Sequence, residues 1–335
     1  MTQITILGDG GWGTALGLHL IGKGHAVRIW GPFPEYLDQI RQKGENVHYL
    51  PGIPIPRELI LTADPDEAMA EADVVVLAVP SKFGRAVFSR FAGKIPSHSL
   101  VVSVSKGLDQ QTQRRLTQMA ADCLGHTPVA ALSGPSHAEE VARGVPTAVV
   151  VASPDPAQAR RLQSVFMTPR FRVYTSEDVV GVELGGALKN VIAVAVGASD
   201  GLGFGDNTRA ALMTRGLAEM TRLGCALGAR ADTFFGLSGV GDLIVTCTSR
   251  WSRNHTVGER LGKGEPIAQI LASMKQVAEG VTTCVMARQL ARENGVDTPI
   301  INEVFALINE GKKPHDAVQA LMTRDARPER DERKS

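Results

Sequence analysis

The chain has 335 residues, room for two domains at roughly 150 residues each. Its 36 Lys and Arg against 35 Asp and Glu leave a formal net charge of +1, which excludes a nucleic-acid binder driven by bulk charge, though not a local basic site. A composition 43% hydrophobic and 21% charged is that of a globular protein able to bury an active site without disulfide staples.

The four cysteines, Cys123, Cys225, Cys247 and Cys284, form no CxxC pair, so zinc-ribbon and thioredoxin-like readings drop out and a reducing compartment fits. The opening MTQITILGDGG has neither the basic region nor the long apolar stretch of a signal peptide. The apolar runs at 74–80 and 191–198 are too short for a membrane span, so a cytoplasmic protein without membrane insertion is expected.

In chain order, residues 2–7 predict a short apolar strand, 8–13 a glycine-rich turn, 14–22 a helix and 26–30 a second strand. That succession fits the length of a βαβ unit, about 30 residues. Further strands are predicted at 59–61, 74–79, 100–104, 129–132, 147–151 and 171–175, with helical patterns between most of them. Residues 74–79 are apolar on both faces, as an inner strand of a parallel sheet requires. The first part therefore reads as a doubly wound α/β domain of Rossmann type. After Thr175 the strand patterns stop. Residues 179–199 form a long apolar segment, and 208–227, 283–294 and 299–310 have helical periodicity. The expected division is a dinucleotide-binding domain at 1–180, an all-helical domain at 181–323 and a charged, disordered tail at 324–335.

Gly8-Asp9-Gly10-Gly11-Trp12-Gly13 fits GxGxxG and sits where that pattern has meaning, after a strand and opening a helix. The missing Cβ atoms let backbone approach a pyrophosphate, and the helix start offers free N–H donors. An acid at the end of the second strand ordinarily holds the adenosine ribose. Here that position reads Trp30-Gly31-Pro32, with Arg28 inside the strand and Glu35 beyond it, so NAD and NADP both stay open.

Within 179–199 the only charges are Glu183 and Lys189. On a helix they stand roughly 240° apart and cannot pair along one face. A lysine there is costly unless it snorkels, pairs elsewhere or does chemistry. Two readings remain: a desolvated ammonium with a lowered pKa that exchanges protons near neutral pH, or a lysine paired with a carboxylate from the other domain. Gly185 and Gly186 imply close packing or close ligand approach.

Residues 237–242 form a turn carrying Asp242, and 248–255 gather hydroxyls, Arg250, Arg253 and Asn254. Such groups suit a phosphate or carboxylate, although a solvated helix start capped by Ser and Asn explains them more simply. Ser105-Lys106-Gly107 and Ser133-Gly134-Pro135-Ser136-His137 each follow a predicted strand, where ligands of such sheets bind. The plain alternatives are a surface lysine at 106 and a Ser136 N-cap for a helix over 137–143. His137 reads as structural.

Taken in order, GDGGWGTAL (8–16), SVSKGL (103–108), SGPSHAEEV (133–141), ELGGALKNV (183–191), GLGFGDNTRAAL (201–212), GLSGVGDLIVTCTS (236–249), SRN (252–254) and VAEGV (277–281) resemble the bacterial-type NAD(P)-dependent glycerol-3-phosphate dehydrogenase family. The resemblance implies interconversion of sn-glycerol 3-phosphate and dihydroxyacetone phosphate with NAD or NADP and no metal. It makes Lys189 the proton donor and acceptor, with Asp242 orienting or charge-balancing it. It sets Lys106, Gly134, Ser136, Asp242, Ser252, Arg253 and Asn254 around the substrate. Gly8, Gly10, Gly11, Trp12, Gly13, Lys106, Ala138, Arg253, Val277 and Glu279 would meet the cofactor. Two departures stand out. Asp9 and Gly11 replace a small residue and a serine, bringing a carboxylate toward the pyrophosphate, and Pro32 replaces a polar or basic residue. The expected partner is a phosphorylated triose, with no nucleic acid and a homodimer left open. The product would feed membrane lipid synthesis, and Gly201, Gly203 and Gly205 would form a flexible connection. The rivals are a hydroxy-acid dehydrogenase of the same plan and a nicotinamide-sensing protein without turnover.

Overall fold

Apolar segments too short for helices pair into a sheet, and amphipathic segments between them cover its faces. The computed structural model describes residues 1–125, 128–274, 276–326 and 328–329. Strand β1 (Gln3–Leu7) leads through the glycine turn into α1 (Gly11–Gly22), and β2 (Ala26–Trp30) returns parallel to β1, with Gln3 opposite Ala26 and Leu7 opposite Trp30. There follow α2 (Pro34–Lys43), a hairpin of β3 (Glu45–Asn46) and β4 (Leu50–Pro54), β5 (Ile60–Thr62), α3 (Pro65–Met69), β6 (Val74–Leu77), α4 (Ser81–Ser89) and β7 (Leu100–Ser103). The sheet half ends with α5 (Leu116–Leu124), β8 (Val129–Ser133), α6 (Ala138–Ala142), β9 (Thr147–Ala152), α7 (Pro156–Phe166) and β10 (Phe171–Ser176).

The main sheet runs β10-β9-β8-β7-β6-β1-β2-β5. Strand order reverses between β1 and β6, so the crevice beyond their carboxyl ends is the place for a ligand. The sheet is doubly wound as expected, with β6 parallel to both its neighbours, but it is not parallel throughout, because β8 and β9 pair antiparallel. A parallel return needs a crossover along the sheet. The segment between β8 and β9 instead holds only the short α6, which packs on α1. The sequence pattern does not announce the β3–β4 hairpin, since β3 is two residues long and β4 carries two prolines and a glycine.

Past β10 the chain is helical, with α8 (Val179–Gly201), α9 (Asp206–Ala226), a 3-10 turn at Ala231–Phe235 and a π-helical turn at Leu237–Gly241. Then come α10 (Asp242–Thr248), α11 (Arg253–Gly262), α12 (Ile267–Ser273), α13 (Glu279–Glu293), α14 (Pro299–Asn309) and α15 (Pro314–Met322). Of the proposed tail, residues 327 and 330–335 lie outside the described residues.

Helix α8 is the axis of this half. By length and composition its 23 residues would reach across a bilayer, longer than the apolar runs suggested, but 83% of its most apolar stretch is buried inside the fold. It is a core helix. Backbone contact with α11 explains its small residues: a Cβ at Gly197 would lie 2.1 Å from the His255 carbonyl oxygen, and one at Gly201 2.2 Å from that of Glu259. Gly201 is thus packed into a helix crossing and is not part of a flexible connection.

Two buried carboxylates fasten α8. Asp178 accepts from the N–H of Gly181 and of Arg230 and from Thr233 Oγ1. Glu183 accepts from Thr117 N–H at 2.9 Å, Thr117 Oγ1 at 2.6 Å and Arg115 Nη1 at 2.6 Å, joining α8 to the start of α5. Glu183 and Lys189 do not pair, as helical geometry requires.

Candidate active site

Four segments converge where the sheet meets the helical half. Lys106 follows β7, Gly134 follows β8, Lys189 sits midway along α8, and the π-helical turn delivers Asp242 to the first position of α10. The Lys189 side chain is 7% exposed and that of Asp242 1%. Lys189 Nζ donates to Asp242 Oδ1 at 2.9 Å and to Thr246 Oγ1 at 2.5 Å. Lys106 Nζ donates to Asp242 Oδ2 at 2.7 Å and to the Gly134 carbonyl at 3.0 Å. One buried carboxylate is therefore held between two ammonium groups, one from each half of the chain. The carboxylate partner of Lys189 comes from its own helical half, and the sheet half contributes a cation. Thr246 donates to the Asp242 carbonyl oxygen at 2.6 Å, one helical turn back, which fixes the hydroxyl that Lys189 uses.

Burial pulls the Lys189 pKa down from 10.5 to about 8, against the opposing pull of Asp242. Burial also pushes the Asp242 carboxyl up, but the two lysines and their hydrogen bonds outweigh it and hold the carboxyl below its usual range. His137 lies in the same field. Burial, then Lys189 and Lys106, push its pKa to about 4, so its imidazole is neutral, and Nε2 is buried without a hydrogen-bond partner. Ser136 does not cap a helix: α6 starts at Ala138 with His137 before it, and Ser136 Oγ donates to the Gly134 carbonyl at 2.9 Å. Gly134 itself has φ +140°, a conformation that favours glycine.

The remaining expected residues separate into two sets. Ser252 caps α11, accepting from His255 N–H at 3.2 Å, so the cap of the simpler reading holds, but the helix start is not solvated, since Ser252 and Asn254 are both buried. Asn254 is buried and bridges helices, donating to Asn190 Oδ1 at 2.9 Å and accepting from Gly280 N–H at 2.8 Å. Arg253 is exposed overall and donates to the Val277 carbonyl at 3.0 Å, while burial around its guanidinium lowers its pKa against the opposing charges of Glu279 and Glu139. Glu279 accepts from Ser81 N–H at 2.9 Å and Ser81 Oγ at 2.5 Å. Arg253, Val277 and Glu279 thus come together. They share no hydrogen bond with the two lysines and Asp242.

The glycine turn is a cradle in which a Cβ would have no place at three positions. Such an atom would lie 2.5 Å from the Ala78 carbonyl oxygen at Gly8, where φ is +124°, 2.5 Å from that of Tyr49 at Gly11, and 2.1 Å from that of Gly8 at Gly13. At Gly10 nothing lies within 4 Å, and no side chain caps the start of α1. An open, backbone-lined space before uncapped N–H donors fits a pyrophosphate. Ala138 borders it, 3.8 Å from a Cβ at Gly11, and Trp12 and Ala138 both pack against the cluster of Ala15, Leu50 and Ile53. The Asp9 carboxylate is turned toward Gly31 at the end of β2, with a Cβ at Gly31 only 2.6 Å from Asp9 Oδ2. Arg28 turns aside, donating to the Ala70 carbonyl, and Glu35 is exposed on α2.

The models described as NAD-dependent glycerol-3-phosphate dehydrogenase N-terminus and C-terminus match residues 3–159 and 178–319. The chain belongs to the NAD-dependent glycerol-3-phosphate dehydrogenase family. It is 51% identical over 322 residues to the NAD(P)+ glycerol-3-phosphate dehydrogenase of Moorella thermoacetica, covering 96% of each chain. It is 49% identical over 335 residues to that of Geobacillus kaustophilus, covering 99% of this chain and 97% of the other. The crystal structure of a glycerol-3-phosphate dehydrogenase from Coxiella burnetii superposes with a TM-score of 0.92 at 38% identity, over 96% of this chain and 99% of that one.

Membership of the dehydrogenase family brings a nicotinamide dinucleotide as the cofactor class, which the glycine cradle fits. Sequence reasoning missed Thr246, although it stands four residues after Asp242, the spacing of neighbours on one helix face. It also missed Asn190 and Ser81. Ser81 follows β6 and carries no local signal, because its partner Glu279 is 198 residues away. His137 was set aside as structural, yet it sits in the field of both lysines.

Proposed function

We propose that this protein interconverts sn-glycerol 3-phosphate and dihydroxyacetone phosphate, with Lys189 as the proton donor and acceptor at the substrate C2 oxygen. The observation that carries this reading is the Lys189 ammonium, buried and drawn to a pKa of about 8, tied to a carboxylate that Lys106 reaches from the sheet half. A bound nicotinamide dinucleotide supplies the hydride in reduction and takes it in oxidation. Gly8, Gly10, Gly11 and Gly13 with the start of α1 would hold its pyrophosphate, and Trp12, Ala138, Arg253, Val277 and Glu279 would border it.

In ketone reduction, Lys189 Nζ stabilises the charge developing on the C2 oxygen and delivers a proton to it. In the reverse direction the neutral amine removes the hydroxyl proton. A pKa of about 8 keeps both forms accessible near neutral pH. Asp242 stays ionised between the lysines and fixes Nζ in place with Thr246. The Arg253 fork grips the phosphate, and that remote binding energy positions the reacting carbon. Lys106, Gly134 and Ser136 line the side of the crevice contributed by the sheet, and Ser252 and Asn254 fix the start of the helix that carries Arg253.

The same proposal divides the chain near residue 180, places the protein in the cytoplasm, allows a homodimer and has the product supply phospholipid synthesis. The deciding assay follows loss of reduced-cofactor absorbance with dihydroxyacetone phosphate, set against 2-oxo acids. Consumption dependent on the phosphorylated triose is expected. Faster turnover of a 2-oxo acid would favour the hydroxy-acid rival, and binding without turnover of any substrate would make the protein a sensor.

A further inference from the structure

The second strand of a sheet like this one normally ends near an acid that accepts from the adenosine ribose hydroxyls, or near an arginine that takes a 2′-phosphate. Here β2 ends in Trp30-Gly31-Pro32, which offers neither. The structure fills the gap from the neighbouring strand. Because Leu7 lies opposite Trp30, the turn after β1 runs beside the end of β2. Asp9, on that turn, lays its carboxylate over Gly31: a Cβ there would lie 2.6 Å from Oδ2 and 2.8 Å from Cγ. Glycine at 31 is what leaves room for the carboxylate. Asn46 Nδ2 holds the Asp9 carbonyl at 2.8 Å and so fixes the turn.

Among the described residues no cation pairs with this carboxylate. Oδ2 is buried and has no hydrogen-bond partner, while the residue as a whole keeps part of its surface in solvent. The nearby basic groups are engaged elsewhere. Arg28 donates to the Ala70 carbonyl, Arg41 to Asp38 and the Leu61 carbonyl, and His48 stacks on Tyr36 at 4.9 Å between ring centres. Burial raises the Asp9 carboxyl, and its own backbone N–H offsets only part of that. A ribose diol is a pair of donors, whereas a phosphate is a second anion.

We propose that Asp9 is the ribose-binding acid of this chain, accepting from the adenosine 2′-hydroxyl of NAD(H) and repelling the 2′-phosphate of NADP(H). This rests on the functional reading above and adds cofactor choice to it. A carboxylate misplaced by a purely structural role would affect both dinucleotides alike, so the ratio of affinities is the informative quantity.

The test is calorimetric binding of NADH and of NADPH to the cofactor-free protein, without substrate, for wild type, Asp9→Ala and Asp9→Asn. Wild type should bind NADH roughly ten- to a hundredfold more tightly, the range of one charge-assisted hydrogen bond. Asp9→Ala should weaken NADH and tighten NADPH, bringing the ratio toward one. Asp9→Asn should keep part of the NADH affinity while losing the repulsion. Added salt should narrow the wild-type ratio, because it screens the phosphate–carboxylate repulsion. Equal wild-type affinities, or variants that shift both dinucleotides by the same factor, would overturn the assignment while leaving the dehydrogenase reading intact. Failure of both dinucleotides to bind would overturn both readings.

Discussion

Replacing Lys189 with methionine separates chemistry from packing. The ammonium has a pKa of about 8 in the folded chain against 10.5 for an ordinary lysine, so holding it charged at pH 7 costs folding about 3 kcal/mol. The sign follows from the direction of the shift. A lysine whose folded pKa is lowered destabilises fully below about 8, and the cost fades as pH rises toward 10.5. Methionine fills similar space without that charge. The loss on the other side is limited, because Asp242 keeps Lys106 at 2.7 Å and Thr246 keeps its bond to the Asp242 carbonyl. Lys189→Met should therefore be as stable as wild type or up to about 3 kcal/mol more stable in urea denaturation at pH 7. Its kcat with dihydroxyacetone phosphate should fall by roughly 10²–10⁴, the scale of lost acid–base catalysis. A variant less stable by about 3 kcal/mol or more would show Lys189 to be a structural brace, since breaking a buried pair costs about 3–5 kcal/mol. Turnover within about tenfold of wild type, a barrier change near 1.4 kcal/mol, would remove it from proton transfer.

The pH profile of kcat should show the same group from two directions. Reduction, which needs the ammonium, should decline as pH passes about 8, and oxidation, which needs the amine, should rise there; flat profiles in both directions would contradict the assignment. Arg253→Ala should raise KM for dihydroxyacetone phosphate far more than for free dihydroxyacetone, and equal losses would take the phosphate away from Arg253. Glu219, buried and accepting from the N–H groups of Ile300 and Ile301, has its carboxyl raised by burial from 4.5 to about 7. A carboxyl raised on folding costs stability as pH climbs through that interval, by about 3 kcal/mol in full. Glu219→Gln should accordingly gain on wild type above pH 7 and lose that advantage by about pH 5; parallel stability curves would refute this.

The parts of the fold legible in the sequence were those set by local pattern. The two-faced apolar run in β6, the glycine turn after β1 and the change of periodicity before α8 each announce their element through neighbours a few residues away. The antiparallel pairing of β9 was not legible, because it depends on where α6 packs, and α6 packs on α1, more than a hundred residues earlier in the chain. At the site, residue types were legible and partnerships were not. Lys189 stands out in an apolar helix, but its tie to Asp242 spans 53 residues and the tie of Lys106 to Asp242 spans 136. Asp9 is the clearest case. The residue is conspicuous in the turn, yet its direction is fixed by the space Gly31 leaves on an adjacent strand, and strand adjacency is a property of the assembled sheet.

The same long-range ties explain how the Lys189 ammonium, the proton donor of the proposed function, is held in place where the two halves of the chain meet. Glu183 binds Arg115 and Thr117 of the sheet half while Lys189, on the same helix, reaches Asp242 and through it Lys106. Between these anchors α8 meets the sheet with almost no clearance, since a Cβ on Gly186 would stand 2.6 Å from Ser133 Oγ and 3.6 Å from Lys106 Cγ. A helix so fixed cannot turn or slide without breaking a buried charge contact, each break costing about 3–5 kcal/mol. The position of Nζ is therefore set by the packing of the two halves, before any substrate arrives. That is the condition under which a charged donor lowers a barrier without reorganising during the reaction. Buried charge is a poor source of stability, and on the proposed function the about 3 kcal/mol cost carried by Lys189 is the consequence of keeping its ammonium fixed and desolvated for proton transfer.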